Sequence, residues 1–402
     1  MRAYERFLQY AVIHTRSDDA SAAVPSTARQ FDLARLLAEQ LRTLGAADAA
    51  VDGHCYVYGS LPATPGREHV PPLGFIAHMD TADYEAACVR PVLHPHYDGG
   101  DVPLEGRVLS PSMFPHLRDL RGQTLITASG DTLLGADDKA GIAEIMTMLQ
   151  RLQSGRLPHG RICVAFTPDE EIGRGADHFD LERFGAQYAY TVDGGAAGEI
   201  EYENFNACSA VFTFSGVDVH PGSAKGVMIN ALLLAMEANA MLPAAETPRH
   251  TEGYEGFYHL LQLEGDATAA RMRYIVRDHD EASFLCRKRT LLHIEKTLNE
   301  RWGAGSVRLE LQDQYRNMAE VIRSHPHLIT SAEAAARRAD LEPRTLPIRG
   351  GTDGANLSYM GLPCPNLGTG GYAFHGPFEH ITAEAMDQVT DMLVFLATEE
   401  PK

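Results

Sequence analysis

The sequence has few cysteines and no CxxC pair. Its six cysteines are spread along 402 residues, which excludes a disulfide-dense scaffold and favours a reducing compartment. Basic residues are also fewer than acidic ones. The chain has 35 lysines and arginines and 54 aspartates and glutamates, which gives a formal net charge of −19. This balance argues against nucleic-acid and anionic-membrane partners, which need a broad basic surface.

Long apolar runs are missing as well. No stretch approaches the roughly 18 consecutive apolar residues that a membrane span needs. The N-terminal segment MRAYERFLQYAVIH is interrupted by charges, and no small-residue cleavage site follows it. We therefore expect a cytoplasmic, soluble protein. At roughly 150 residues per domain, the length allows two or three domains.

Short apolar segments that alternate with helical patterns predict an α/β fold. LGFIAH (73–78), RICVAF (161–166) and YAYTV (188–192) have the length of buried strands, and the apolar spacing over residues 31–44 and from Gly141 onward is that of a helix face. This alternation is typical of a three-layer domain built on a mainly parallel sheet. Ligands bind at the carboxyl ends of the strands in such sheets.

The pattern changes between residues 208 and 317. The predicted order there is strand, helix, two strands, helix and strand, which is the ferredoxin-like unit. We therefore predict a catalytic domain of residues 1–207 and 318–402, interrupted by an α+β lid domain of residues 208–317. We expect this insert to contribute to substrate binding and to dimerisation.

Histidine and acidic residues cluster directly after predicted strands or in Gly-rich loops. Imidazole and carboxylate ligands together suit Zn²⁺ or a neighbouring first-row metal. A single zinc ion with an open position needs only about three protein ligands, so the larger set favours a paired-metal hydrolytic site. The segments are HMD (His78, Asp80), GADDKAG (Asp137, Asp138), PDEEIG (Asp169, Glu170, Glu171), VDGG (Asp193) and FHGPFE (His375, Glu379).

Each segment alone also has an ordinary structural explanation. An isolated HxD is common, GADDKAG could be a turn and helix cap, and Asp-Gly and His-Gly are frequent in turns. The three adjacent acids of PDEEIG repel one another near a strand end, and for them the structural and functional interpretations are evenly balanced. The joint occurrence of all five segments in one sheet topology favours function.

Several long motifs resemble the peptidase T family, the tripeptide aminopeptidases of the di-zinc aminopeptidase and carboxypeptidase superfamily. The resemblance extends from the N-terminal helix to the final helix. The motifs are GFIAHMDTA, LLGADDKAGIAEIM, TPDEEIGRGADHFD, VDGG, HPGSAKGVMINA and IRGGTDGANLSYMGLPCPNLGTGGYAFHG.

The resemblance implies a ligand set for two zinc ions per subunit, with Co²⁺ or Mn²⁺ as substitutes. Asp137 would bridge the ions, and a cis peptide would join it to Asp138. His78 and Asp193 would complete one site, and Glu171 and His375 the other.

It also implies the catalytic residues. Glu170 would be the general base, and Asp80 would orient His78. We expect no role for Asp169. The paired His94 and His96 lie in a segment that carries no ligand in the family.

Five further residues are expected to contact the substrate. By resemblance, His220 would donate to the tetrahedral oxyanion and Arg277 would grip the terminal carboxylate. Asn230 and Arg349 would shape the pocket, and Asp353 would hold the free amine. Without the resemblance, His220 is a residue before a Pro-Gly turn and Arg277 an exposed strand arginine.

These roles predict an aminopeptidase that releases the N-terminal residue of tripeptides through a metal-bridged water activated by Glu170. A dipeptidase, carboxypeptidase or N-acyl amidohydrolase could use the same site, and a catalytically silent peptide-binding or metal-binding protein is an alternative from another class. A small peptide is the expected substrate, and a homodimer is plausible.

Overall fold

The chain forms two compact units in this computed structural model, which describes residues 1–399. Unit 1 comprises Met1–Tyr202, Met318–Leu346 and the described residues from Thr352 onward, and unit 2 comprises Glu203–Asn317 and Pro347–Gly351. Unit 2 thus begins before the predicted boundary at residue 208 and includes part of the later Gly-rich segment. A parallel bridge between Asn204 and Ile348 joins these two additions.

The α-helices are α1 (Ala3–Ala11), α2 (Gln30–Thr43), α3 (Ala136–Gly155), α4 (Leu181–Phe184), α5 (Ala231–Ala240), α6 (Glu281–Trp302), α7 (Ala319–Ile322), α8 (Pro326–Arg338), α9 (Asp353–Met360) and α10 (Ala383–Thr398). Short 3-10 helices lie at Pro115–Leu120, Glu170–Ile172 and Pro221–Ser223.

The strands are β1 (Ala50–Val51), β2 (Val57–Leu61), β3 (Leu73–His78), β4 (Val92–His94), β5 (Val102–Leu104), β6 (Arg107–Leu109), β7 (Leu125–Thr127), β8 (Ile162–Thr167), β9 (Tyr188–Val192), β10 (Glu199–Glu201), β11 (Asn206–Ser215), β12 (Phe257–Gly265), β13 (Ala269–Asp278), β14 (Val307–Tyr315), β15 (Arg344–Thr345), β16 (Asn366–Leu367), β17 (Gly371–Tyr372) and β18 (His380–Thr382).

Unit 1 is built on a sheet with the strand order β1-β2-β8-β3-β9-β16-β10-β15. Its central neighbours β8, β3, β9 and β16 are parallel. Every residue of β3, β8 and β9 is buried, so both faces of the sheet centre are covered. The helix α3 packs against β3 and β9, whereas α4 packs against β2 and β8. The predicted three-layer α/β fold is confirmed.

Two smaller sheets in unit 1 were not predicted from the sequence. The order β17-β18-β7-β4 forms one antiparallel sheet, and β5 pairs with β6 in the other. These strands are two or three residues long, which is too short for a periodic pattern to be visible.

Unit 2 contains the predicted strand and helix order as β11, α5, β12, β13, α6 and β14. Its antiparallel sheet has the order β12-β13-β11-β14. Apolar residues of the sheet, such as Phe212 and Met272, form one buried core with Leu234 of α5 and Leu291 of α6. The ferredoxin-like architecture is confirmed, and the lid function of this unit stays a prediction.

Within residues 1–399, no helix combines the length and the hydrophobicity that a membrane-spanning segment requires.

Candidate metal centre

The carboxyl ends of three parallel strands place predicted site residues at one edge of the unit 1 sheet. β3 ends at His78, and Thr167 at the end of β8 lies opposite it. β9 ends one residue before Asp193, while Asp80 and residues 169–171 follow β3 and β8 closely. Residues that are more than 100 positions apart in the sequence therefore converge.

Asp137 lies between two histidines. It is near the start of α3, after Gly135 with a φ of 78°, and the Asp137–Asp138 peptide bond is cis, as the resemblance implied. One carboxylate oxygen, Oδ1, is 2.9 Å from His78 Nε2, and the other, Oδ2, is 3.1 Å from His375 Nε2. A carboxylate in this arrangement can offer one oxygen to each of two neighbouring ions.

Two groups of potential ligands share this aspartate. The first contains His78, Asp137 and Asp193, and the second contains Asp137, Glu171 and His375. Asp193 Oδ1 lies 3.5 Å from His78 Nε2, and Glu171 Oε2 lies 3.1 Å from His375 Nε2. The structure thus brings together all five residues that the sequence analysis selected as ligands.

The chemistry of the site fits bound cations. Burial, with the Asp137 charge beside it, raises the pKa of Glu171 to about 7. Burial also raises the pKa of Asp193, although the His78 imidazole opposes that shift. The buried Glu171 Oε1 has no hydrogen-bond partner among the described residues. Divalent cations would offset the repulsion between these carboxylates and give this oxygen a ligand role.

Glu170 lies beside the ligand Glu171 in the turn that follows β8. The residue is half-buried. Burial raises the pKa of its carboxyl group well above the usual range, and the neighbouring Asp193 charge adds to this effect. A carboxyl group with a raised pKa is suited to general acid–base chemistry near neutral pH.

Asp80 connects His78 to the Glu170–Glu171 turn. His78 Nδ1 is 3.1 Å from the Asp80 carbonyl oxygen and 3.4 Å from its carboxylate Oδ1. The same carboxylate accepts hydrogen bonds from the backbone N–H groups of Glu170 at 3.0 Å and Glu171 at 3.2 Å. The orientation of His78 was expected, but the contact with the turn was not. A proton on Nδ1 leaves Nε2 available as a ligand.

Glu379 is a site residue to which the sequence analysis gave no role. It is buried, and its carboxylate accepts the backbone N–H groups of Leu134, Gly135 and Asp137 at 2.8, 2.8 and 3.0 Å. It therefore fixes the loop that carries Asp137. Its position in the same short segment as His375 was the available sequence signal.

Two more side chains support the ligands. Asp138 is fully buried and its Oδ2 accepts the backbone N–H of His78 at 3.1 Å. Asn366 donates through Nδ2 to the carbonyl oxygen of Asp193 at 2.8 Å and to Glu201 at 2.7 Å. By contrast, His94 Nε2 lies 3.0 Å from Thr127 Oγ1, on the small antiparallel sheet.

Two of the predicted substrate residues cap the beginnings of short helices in unit 2. His220 is exposed, and its Nδ1 accepts the N–H of Gly222 at 3.1 Å. Asn230 caps α5 by accepting the N–H groups of Leu232 and Leu233. The His220 contact corresponds to its structural explanation as a residue before a Pro-Gly turn, and the functional roles of both residues stay predictions.

Two arginines of unit 2 differ in what their guanidinium groups contact. Arg349 donates to the carbonyl oxygens of Thr251, Gly253 and Glu255, so it holds that loop. The structural explanation assumed that Arg277 is exposed. In the structure, Arg277 lies on β13 and is only 9% accessible. Its Nη1 donates to Gln314 at 3.1 Å and to the carbonyl oxygen of Val276.

Asp353 belongs to unit 1 and is 4% accessible. Its Oδ2 accepts the hydroxyl hydrogen of Thr167 at 2.9 Å. Burial raises the pKa of Asp353 to about 7, although the hydrogen bond from Thr167 opposes the shift. Its charge also contributes to the raised pKa of Glu170.

Comparison with known proteins identifies the family. Residues 134–399 match the model of peptidase family M20/M25/M40. Peptidase T of Geobacillus kaustophilus (strain HTA426) is 51% identical over 395 residues, which cover 97% of this chain and 96% of that protein.

Two solved structures share the fold. The aminopeptidase PepT of Bacillus cereus ATCC 10987 superposes with a TM-score of 0.80 at 21% identity, covering 100% of this chain and 98% of that one. The YXEP protein of Bacillus subtilis, a dinuclear metal-binding peptidase, has a TM-score of 0.64 at 13% identity, with 98% of each chain covered. By its sequence and its fold, the chain belongs to peptidase family M20/M25/M40.

Proposed function

We propose that this protein is a tripeptide aminopeptidase that uses two zinc ions. The observation that carries the proposal is the position of Asp137, whose two carboxylate oxygens face His78 and His375. The similarity of the chain to peptidase T over 97% of its length supports the substrate class. Zinc is favoured because the donors are imidazole and carboxylate groups.

His78, Asp137 and Asp193 would hold one ion, and Asp137, Glu171 and His375 the other. Such ions, when bound, polarise the scissile carbonyl group and lower the pKa of a nucleophilic water molecule. Co²⁺ and Mn²⁺ accept the same ligand types and could replace zinc.

Glu170 transfers the proton in this proposal. Its carboxylate removes a proton from the attacking water and later delivers it to the nitrogen of the leaving amine, as the C–N bond breaks. Asp80 supports this step because it binds the backbone N–H of Glu170. A carboxylate that is held in place needs little rearrangement between the two transfers.

Recognition of the two peptide termini is assigned to separate residues. Asp353 would bind the substrate ammonium group, because it is a buried carboxylate held by Thr167 at the carboxyl end of β8. The fork of Arg277 would bind the terminal carboxylate, a geometry that suits arginine. His220 would donate to the developing oxyanion, while Asn230 and Arg349 would shape the pocket through the turns that they hold.

A panel of di-, tri- and tetrapeptides with free or blocked ends tests the substrate class. The proposal predicts that N-acetylation abolishes cleavage of a tripeptide, whereas C-terminal amidation raises its KM. Arg277→Gln should raise the KM of the free tripeptide and have little effect on the amidated one. Equal cleavage of the N-acetylated and free peptides would contradict an aminopeptidase.

The same panel separates the alternatives. Preference for dipeptides would indicate a dipeptidase, release of the C-terminal residue a carboxypeptidase, and hydrolysis of acylated amino acids an amidohydrolase. Tight peptide binding without turnover would indicate a silent binding protein.

We also propose a cytoplasmic homodimer. Support for the dimer comes from β12, an edge strand of the unit 2 sheet, where Leu261 and Leu263 are 45% and 42% exposed. Pairing of two such edges would join the backbone groups of the two β12 strands and place these side chains beside those of the second copy. Light scattering should give twice the chain mass, and Leu261→Glu should shift the protein towards monomer.

A further inference from the structure

Asp169 lies directly before Glu170 and is fully buried. Its carboxylate accepts three hydrogen bonds from residues near the start of α2. They come from the backbone N–H of Ser26 at 2.7 Å, from Ser26 Oγ at 2.5 Å and from Gln30 Nε2 at 2.7 Å. The N–H of Asp169 returns a bond to Gln30 Oε1 at 3.3 Å.

The backbone of Asp169 is constrained as well. Its φ is 57°, in the left-handed region that non-glycine residues seldom adopt. Its carbonyl oxygen accepts the N–H of Arg174 at 2.9 Å, which closes the turn. Strain at a non-glycine residue persists where surrounding contacts determine the conformation. The bonds to Ser26 and Gln30 supply such contacts.

The Glu170–Glu171 turn is therefore held from two directions. Asp80 binds the N–H groups of the two glutamates from the end of β3. Asp169 ties the beginning of the same turn to α2, 139 positions away along the chain at Gln30. Removing either attachment leaves the turn fixed on one side only.

We propose that Asp169 is a positioning residue, which holds the Glu170 carboxylate in the geometry needed for proton transfer by fastening its turn to Ser26 and Gln30. The inference rests on the proposed function of Glu170. Displacement of a reacting group by about 1 Å can cost roughly 100-fold in rate. The loss is expected in kcat, because neither substrate terminus contacts Asp169 in the proposed binding mode.

Asp169→Asn tests the inference, with Asp177→Asn as the control, since Asp177 is exposed and lies further along the same segment. In either orientation, the asparagine places its NH₂ group, which cannot accept a hydrogen bond, where an Asp169 oxygen accepts from Ser26 or Gln30. We expect kcat to fall roughly 10- to 100-fold, with KM changed less than about twofold and with the bound zinc unchanged. The control should retain the wild-type kcat.

A second substitution can restore the contact between residues 169 and 30 with the donor and the acceptor exchanged. In Asp169→Asn combined with Gln30→Glu, the asparagine NH₂ donates to the glutamate carboxylate, and the Ser26 hydroxyl can accept. We expect the double variant to recover at least a third of the lost kcat on a logarithmic scale. Gln30→Glu alone brings two buried carboxylates together and should lower kcat.

Other results would overturn the inference. Wild-type kcat in Asp169→Asn, loss of zinc in parallel with kcat, or no rescue by Gln30→Glu would each do so. If Asp169→Asn does not fold, Ser26→Ala removes the hydroxyl bond to Asp169 and the bond that the same hydroxyl accepts from the Asp18 N–H at 3.0 Å. The Ser26 N–H and Gln30 Nε2 can still donate to Asp169, so the variant should lower kcat several-fold with zinc retained. An active Glu170→Gln variant would instead contradict the proposed function, which keeps the two failures distinguishable.

Discussion

Neighbouring carboxyl groups at the metal centre have pKa values shifted in opposite directions, because their surroundings differ. Asp137 faces two imidazoles, and its contacts with His375 and His78 outweigh the effect of burial and lower its pKa. At Glu170, burial and the Asp193 charge raise the pKa, although the His78 imidazole opposes the shift. An ionised shared ligand and a residue that can carry a proton thus result from different surroundings of the same functional group.

Replacement of Glu170 tests its role as the base. Glu170→Gln keeps the shape of the side chain but cannot accept the proton, so kcat should fall about 10²- to 10⁴-fold. Zinc content should stay at the wild-type level because the ligands are intact. Glu182→Gln, on the exposed face of α4, is the matched control and should be fully active. Near-normal turnover of Glu170→Gln would exclude the mechanism.

A second prediction concerns stability. Glu144 of α3 is fully buried, and its two carboxylate oxygens have no hydrogen-bond partner among residues 1–399. Burial raises the pKa of Glu144 well above the usual range, and the charge of Asp387 contributes. At a pH below the pKa that Glu144 has in the unfolded chain, its carboxyl group is protonated in both the folded and the unfolded state. Burial of the neutral acid then carries no ionisation penalty. As pH rises further, only the unfolded state loses its proton, so stability falls until the folded pKa is reached.

Glu144→Gln removes this dependence. We expect its melting temperature to exceed that of the wild type by an amount that grows from pH 4 to pH 7. Thermal unfolding of both proteins at several pH values measures the difference. A difference that does not change with pH, or one that shrinks as pH rises, would contradict the assignment.

At the scale of elements, the strand predictions hold best where apolar runs are continuous. β3 and β9 have the predicted bounds, because each is a run of several apolar or β-branched residues between breaks. The helix α3 begins at Ala136, before the predicted start at Gly141. Its first residues are the aspartates of the ligand loop, which carry no apolar periodicity.

The motifs predicted the ligand set, but they did not predict the contacts that hold the ligands and the Glu170 turn in place. Asp169 contacts Ser26, Glu379 contacts residues 134–137, and Asp80 contacts the Glu170 turn. Each contact joins residues that are distant along the chain. A single sequence contains no pattern that reports such pairs, since each side chain alone resembles a solvated acid.

The junction between α3 and β9 provides a test at this scale. A Cβ atom on Gly141 would lie 2.0 Å from the carbonyl oxygen of Val192 and 2.5 Å from Asp138 Oδ1. Gly141→Ala must therefore displace the end of β9, which leads to Asp193. Overpacking of this kind typically costs about 1–3 kcal/mol.

We expect Gly141→Ala to unfold at a lower temperature and to bind zinc more weakly at the site that contains Asp193. Gly53→Ala is the control, because a Cβ there meets no atom of residues 1–399 within 4 Å. Calorimetric titration with zinc measures the affinity. Wild-type affinity and stability in Gly141→Ala would show that the junction tolerates the displacement.

For the whole molecule, the acidic excess is partly explained by the site. The net charge of −19 counts Asp80, Asp137, Glu170, Glu171 and Asp193, which converge with the His78 and His375 imidazoles. Two divalent cations would supply about +4 of compensating charge. Because cations bind the folded ligand set, they should also stabilise the fold, by about 2.7 kcal/mol for an ion present at 100 times its Kd.

The most direct test of the central claim is a zinc titration of chelator-treated protein, with bound zinc and tripeptide hydrolysis measured on the same samples. Two ligand groups that share Asp137 predict that activity is lost with the metal and returns as two equivalents bind. Asp137→Ala should retain neither ion tightly. Full hydrolysis by metal-free protein, or complete activity with a single bound equivalent, would contradict the paired centre.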